Sequence, residues 1–173
     1  MRKFYFLILL ILLFSVGCSK SSSSNITTYG YVNKDKYINP EFNFSMEVPE
    51  NWTVNENIEK LNTTALKDMP TNIIGTISSK DDLSRIGVIS LSHYTHAQDY
   101  ANEQFEFEFG NEKLNAKSIS KENINGKEFI IVNYNNSKKY ITDSNDKILL
   151  FETLFSNESK GEIDSAIKSI KFN

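Results

Sequence analysis

Residues 116–156 read AKSISKENINGKEFIIVNYNNSKKYITDSNDKILLFETLFS, and this stretch decides the fold. Asn125-Gly126 is the strongest short hairpin signal in the chain, because a two-residue type I′ turn needs left-handed backbone at both positions. Ala116 to Ile124 and Lys127 to Tyr134 flank it as strands, the second rich in Ile and Val. Asn135-Asn136-Ser137 turns the chain again. Lys138 to Asp143 then runs into a third turn, Ser144-Asn145-Asp146, and Lys147 to Ser156 is the last strong strand. Links this short join antiparallel neighbours, since a parallel return needs a crossover of about a dozen residues or more.

Upstream, Phe42, Phe44, Met46 and Val48 alternate with Asn43, Ser45 and Glu47, a period of two that predicts a strand. Pro49 stops it, because proline cannot donate to a ladder. Ile73 to Ser78 and Ile86 to Ser92 are two further strands, separated by a turn holding Asp81-Asp82 and Ser84.

Two helices are predicted. Thr95 with Gln98 three residues on has capping-box spacing, and Ala97, Tyr100, Ala101, Phe105 and Phe109 keep a helical stripe up to Gly110. Phe105, Phe107 and Phe109 also alternate with Glu106 and Glu108, which suits a strand; the cap and Gly110 favour the helix. Ser159 with Glu162 makes the second capping box, ahead of an Ile163, Ala166, Ile167 and Ile170 stripe. Asn55 to Asp68 carries only a weak helical pattern. Strands paired by short turns, with helices between and after them, give an α+β fold with a mainly antiparallel sheet.

The N-terminus has a different character. Arg2 and Lys3 precede an uncharged run from Phe4 to Val16. Thirteen residues make roughly 20 Å of helix, short of a hydrocarbon core about 30 Å thick, so the run fits a signal peptide. It ends Ser15-Val16-Gly17-Cys18, which resembles a bacterial lipobox with Ser15 where Leu is usual. The resemblance implies a signal peptide over 1–17 and lipidation of Cys18, the only cysteine. Two or more acyl chains hold a protein stably where one does not. The expected location is therefore extracytoplasmic, on the outer face of the cell membrane, or of the outer membrane in a two-membrane cell. Residues 18–28 form a Ser-rich tether too polar to order itself. Residues 29–173 remain as one domain's worth of chain.

Composition excludes some roles. Removal of residues 1–17 moves the formal charge from −3 to −5, which opposes nucleic-acid binding and strong adhesion to anionic lipid. Asn is abundant, and Lys outnumbers Arg 17 to 2. There is no Gly-x-Ser-x-Gly, Walker, Gly-x-Gly-x-x-Gly or His-Glu-x-x-His motif, and lipidated Cys18 is not available as a nucleophile. No cofactor is expected, and the chain is not expected to be an enzyme.

Two constellations carry chemistry. His93 and His96, the only histidines, lie three apart where a strand hands over to a helix, with Asp99 three further on. Zinc takes three or four N, O or S ligands, so these residues could form a metal site; solvated residues around a helix start are the plainer reading. Trp52 could be a recognition aromatic or a plug at the core edge. Asp143, Asn145 and Asp146 have the flavour of a calcium loop, but its twelfth position would be Leu154 where a bidentate Glu is required, so they read as a turn.

Tyr37-Ile38-Asn39-Pro40-Glu41-Phe42-Asn43-Phe44, followed by Val48-Pro49-Glu50-Asn51-Trp52, resembles the opening of PsbP-like domains, where an aromatic-rich strand runs into Pro-x-x-Trp. Ile124-Asn125-Gly126 and the strand after it resemble that family's central hairpin, and Ile163 to Phe172 its closing helix and tail. The resemblance implies an α/β/α sandwich around an antiparallel sheet over residues 29–173. It implies no catalytic residues, since the family consists mostly of binding and assembly proteins. The expected function is a membrane-anchored lipoprotein that binds a protein partner at the membrane surface. The alternative is a metal or small-ligand binder using His93 and His96.

Overall fold

A computed structural model describes residues 29–55, 58, 71–106, 108–109, 112–113 and 117–173. The signal peptide, Cys18, the tether and most of the Asn55–Asp68 segment lie outside them. In chain order the strands are β1 (Tyr31–Asn33), β2 (Lys36–Asn39), β3 (Phe44–Glu47), β4 (Thr53–Val54), β5 (Thr71–Ser78) and β6 (Arg85–Leu91). Helix α1 (Ala97–Glu106) and the short pair β7 (Glu108–Phe109) and β8 (Glu112–Lys113) follow. Then come β9 (Ser118–Ile124), β10 (Lys127–Asn133), β11 (Ser137–Ser144), β12 (Lys147–Leu154), α2 (Lys160–Lys168) and β13 (Lys171–Phe172).

The main sheet has the order β4-β5-β6-β12-β11-β10-β9, and every neighbouring pair is antiparallel. The meander read from the sequence is its right half, and the β5–β6 hairpin joins it through β12. The turn signals fold as their chemistry requires. Asn125 and Gly126 have φ of 49° and 89°, and Asn145 and Asp146 have 51° and 57°, so both two-residue hairpin loops are left-handed throughout. Each turn asparagine also clasps another element. The Asn125 side chain donates to the Lys168 and Ile170 carbonyls at 2.8 Å, tying down the end of α2, and Asn145 donates to the Glu41 carbonyl at 2.8 Å.

Successive residues of the central strands enter two different cores. Leu149 and Phe151 of β12 face one core while Ile148 and Leu150 face the other, and Phe129 and Ile131 of β10 divide from Ile130 and Val132 in the same way. This explains the continuous apolar run Ile148-Leu149-Leu150-Phe151: both faces of the sheet are covered. Helix α2 brings Ile163, Ala166 and Ile167 to one face, joined there by the small sheet β1-β2-β3-β13 with Tyr37, Phe44 and Met46. Helix α1 covers the other with Ala97, Tyr100 and Ala101. The result is the α/β/α sandwich expected, with a second sheet beside α2 that the sequence reading did not foresee.

Three expectations are corrected. Helix α1 ends at Glu106, not near Gly110, because the Phe/Glu alternation prevails from Glu108 onward and β7 pairs with β8. Its N-terminus is not closed by Thr95 and Gln98. The Ala97 N–H donates to the Asp143 carboxylate on β11 at 2.7 Å, while the Gln98 amide donates to Asn102 at 2.9 Å. The Ser159–Glu162 box marks the start of α2 but does not bond as a box, since the Ser159 side chain makes no cap hydrogen bond.

The deepest contact links the two sheets. Tyr37 is fully buried, and its hydroxyl donates to the Ile74 carbonyl at 2.5 Å. Ile74 lies at the β-bulge between Ile73 and Gly75, where the ladder leaves a residue unpaired and its carbonyl free to accept. A Cβ on Gly30 or Gly75 would stand 2.2 or 2.5 Å from Tyr37, so both glycines are needed to admit the ring. Burial pushes the Tyr37 phenol up to about 12, against the opposing hydrogen bonds of the Asn39 side chain and the Gly30 backbone.

Candidate functional site

Trp52 is positioned by a tight turn. Its N–H donates to the Pro49 carbonyl at 3.1 Å, and Asn51 takes φ of 66° at the third position, where a type II turn admits Gly or Asn. Pro-x-x-Trp is thus a turn that delivers the indole to the margin of the α2-side core, where it is half-buried. The indole N–H donates to Glu162 in the first turn of α2 at 3.0 Å. The Glu that the sequence assigns to a helix cap is therefore used to hold Trp52. Ser159 is diverted in the same way: its hydroxyl lies 2.5 Å from that of Ser84 and 3.1 Å from that of Ser156.

These groups line an open cleft of about 390 Å³ between the Pro49–Trp52 turn, the β5–β6 turn and the start of α2. A second groove of about 380 Å³ shares Glu50 and Glu162 with it. Glu50, Asp81, Glu158 and Glu162 outnumber Lys80 on the cleft wall. The Ser79 hydroxyl and then the Leu83 N–H hydrogen-bond Asp81 and hold its carboxyl below the usual range, so it is ionised at neutral pH. Leu83, on the same turn, is 65 % exposed beside the cleft and does not line it. No histidine lines the cleft, and the Ser84, Ser156 and Ser159 hydroxyls are bonded to one another. Chemically the arrangement offers an aromatic wall and an acidic rim, with Leu83 exposed on the adjoining turn, which suits recognition of a basic, partly apolar segment.

The histidines lie elsewhere. His93 is exposed and packs its ring on Tyr94, with centroids 4.0 Å apart. Tyr94 in turn donates to Glu103 at 2.5 Å, and burial followed by that carboxylate pushes its phenol to about 12. His96 lines a third groove of about 520 Å³ with Asp143 and two lysines, Lys127 and Lys147, that sit over the rings of Phe172 and Phe42 at 5.3 and 5.6 Å. Asp99 is exposed on α1, and its N–H donates to the His96 carbonyl at 3.2 Å. Among the described residues no three His, Cys, Asp or Glu side chains are grouped to hold a metal, so His93, His96 and Asp99 are not brought into one ligand set. Asp143, Asn145 and Asp146 form the β11–β12 turn, with Asp143 committed to α1. Sequence reasoning missed the Ser84–Ser156–Ser159 cluster and Leu83. The serine contacts join positions 75 apart, so no local spacing announces them.

No protein-family profile matches the chain, and no curated protein matches it in sequence. Solved structures do. The cyanobacterial PsbP (CyanoP) of Synechocystis is similar, with a TM-score of 0.56 at 11 % identity over 86 % of this chain and 99 % of that one. A structure from Bacteroides thetaiotaomicron has a TM-score of 0.47 at 15 % identity, with this chain covering 48 % of its length. The sandwich, the sheet order and the match over 99 % of CyanoP establish that the described residues adopt the PsbP-like α+β fold.

Proposed function

We propose that this chain is an extracytoplasmic lipoprotein, anchored through Cys18, whose PsbP-like domain is a non-catalytic module that docks a protein partner at the membrane surface. The Trp52 cleft carries this reading. It combines the only tryptophan of the chain, locked to α2, with an acidic rim, and Leu83 is exposed on the adjoining turn. Aromatic anchors of this kind supply most of the binding energy in many interfaces. The acids select a partner segment rich in Lys or Arg and steer its approach. The PsbP-like fold supports a binding or assembly role, and the lipobox supports the anchor.

Crosslinking in intact cells, followed by purification from detergent-solubilised membranes and mass spectrometry, tests the proposal. Wild type is expected to recover one partner in stoichiometric amount. Cys18→Ala is expected to release the chain from the membrane and lose the partner. Trp52→Ala is expected to stay in the membrane and lose it. A partner recovered equally with Trp52→Ala would contradict the cleft, and no reproducible partner at all would contradict the docking role.

A further inference from the structure

The small sheet has a solvent-facing side as well as the side that enters the core. Opposed residues of paired strands share a face, so the register places Tyr31, Ile38, Ser45 and Lys171 in one row and Asn33, Lys36 and Glu47 in the next. Tyr37, Phe44 and Met46 alternate with them and point into the core. Tyr31 is 53 % exposed on this outer side, whereas its neighbour Val32 pairs with Tyr37 and belongs to the other side of the edge strand. Lys36 and Lys171, with Lys34 in the β1–β2 turn, are exposed and take part in none of the ion pairs among the described residues, whereas Lys121, Lys138, Lys139 and Lys147 are paired. Glu47 and Asp35 are the acids nearby, so this patch keeps a small positive surplus on a chain that is acidic overall.

The place where the chain enters the domain selects what lies against this face. β1 is the outermost strand of the small sheet and the first strand after the tether, and Tyr29 follows Cys18 by eleven residues. A link of that length reaches less than about 40 Å even when fully extended. The face beside β1 is thus held within reach of the lipid headgroups at all times. Tyrosine favours the interfacial layer, and each Lys near an anionic surface raises partitioning by about fivefold.

We infer that the outer face of the β1-β2-β3-β13 sheet rests on an anionic phospholipid surface, with Tyr31 at the headgroup level and Lys34, Lys36 and Lys171 over the lipid charge. The inference rests on the lipid anchor proposed above. It orients the domain, because Glu50, three residues beyond β3 and on the wall of the Trp52 cleft, is repelled by the same lipids, which turns the cleft away from the bilayer.

The test uses the full-length lipidated protein in vesicles of phosphatidylcholine with or without phosphatidylglycerol. Cys18 is consumed by lipid, so Tyr31→Cys, Asn33→Cys and Ser120→Cys each supply the only thiol for a bimane label; Ser120 is an exposed position on β9. Lipid spin-labelled at the headgroup is expected to quench the labels at positions 31 and 33 several-fold more than the label at 120 in anionic vesicles. Adding Lys34→Glu, Lys36→Glu and Lys171→Glu is expected to bring all three to one level. Two separately labelled positions on the face keep the result readable if either substitution disturbs β1. Equal quenching at all three positions in protein that floats with the vesicles overturns the orientation while leaving the anchor standing. Wild-type protein that fails to float overturns the anchor, and the orientation with it.

Discussion

The two faces of the main sheet are built differently. The α2 face is aromatic and thick: Tyr37, Phe44, Phe129 and Phe151 form tilted and edge-on contacts 5.3–6.0 Å apart, beneath both a helix and a second sheet. The α1 face is mainly aliphatic, built from Leu91, Ile130, Val132, Ile141, Ile148 and Leu150, with α1 as the helix packed on it. That helix is fastened at its start by Asp143 and farther along by Lys139, which donates to Gln104 at 2.5 Å and lies 3.6 Å from Glu152. The α2 face carries the greater number of stacked layers, and the candidate cleft is rooted in that same face through Trp52, Glu162 and Ser159. A recognition surface on the rigid side of a domain loses little entropy on binding.

Adjacent residues of β12 put this contrast to the test. Phe151→Ala removes a ring from the aromatic face and is expected to destabilise by about 3–5 kcal/mol, whereas Leu150→Ala on the α1 face falls in the lower part of about 2–5 kcal/mol. Urea unfolding of the pair measures the difference, and equal losses would erase the distinction between the faces.

Alkaline pH acts next. The folded state holds the Tyr37 phenol at about 12, against about 10 in the unfolded chain, so it favours the protonated form. The associated stability, about 2–3 kcal/mol, is fully present below pH about 10 and disappears as pH rises towards about 12. Burial raises Tyr100 on the α1 face in the same direction, with Glu152 adding to it. Burial also raises Tyr140 in the α2-side core, so urea midpoints against pH are compared for wild type and Tyr37→Phe: a slope that survives unchanged in Tyr37→Phe would assign the loss to Tyr100 and Tyr140 and contradict the role given to Tyr37.

Gly75→Ala drives a methyl into the Tyr37 ring and is expected to destabilise by about 1–3 kcal/mol, with the near-ultraviolet tyrosine signal altered. Asp143→Ala is expected to lower stability by about 1 kcal/mol. Amide exchange should then accelerate in α1 and not in α2, since only α1 loses its N-terminal acceptor; uniform acceleration would show that the helix is not fastened there.

The two faces also differ in how legible they were. Strands β5, β6 and β9 to β12 follow from local chemistry, namely turn residues that tolerate left-handed backbone and period-two alternation, while the capping spacings marked where both helices start without forming the bonds they imply. Of the small sheet only β3 was legible, from the alternation over Phe42 to Val48. β1 and β2 turn through Lys34-Asp35 rather than Asn-Gly, β13 is two residues long, and what orders them is the distant pairing of Phe172 with Phe44 and of Tyr37 with the β5 bulge. The candidate site was half legible. Trp52 and Glu162 each stood out in the sequence, one as an aromatic and the other as a capping residue. Their hydrogen bond across 110 positions did not, because local spacing carries no record of which tertiary partner competes for a side chain.

The most direct test of the cleft is a photo-crosslinking residue placed at Asn51, on its wall, compared with one at Ser120 on the far edge strand β9, both in the anchored protein in cells. The account predicts one discrete adduct from position 51, suppressed by Glu162→Gln combined with Trp52→Ala, and none from position 120. Adducts of the same pattern from both positions, or an adduct from position 120 alone, would contradict it.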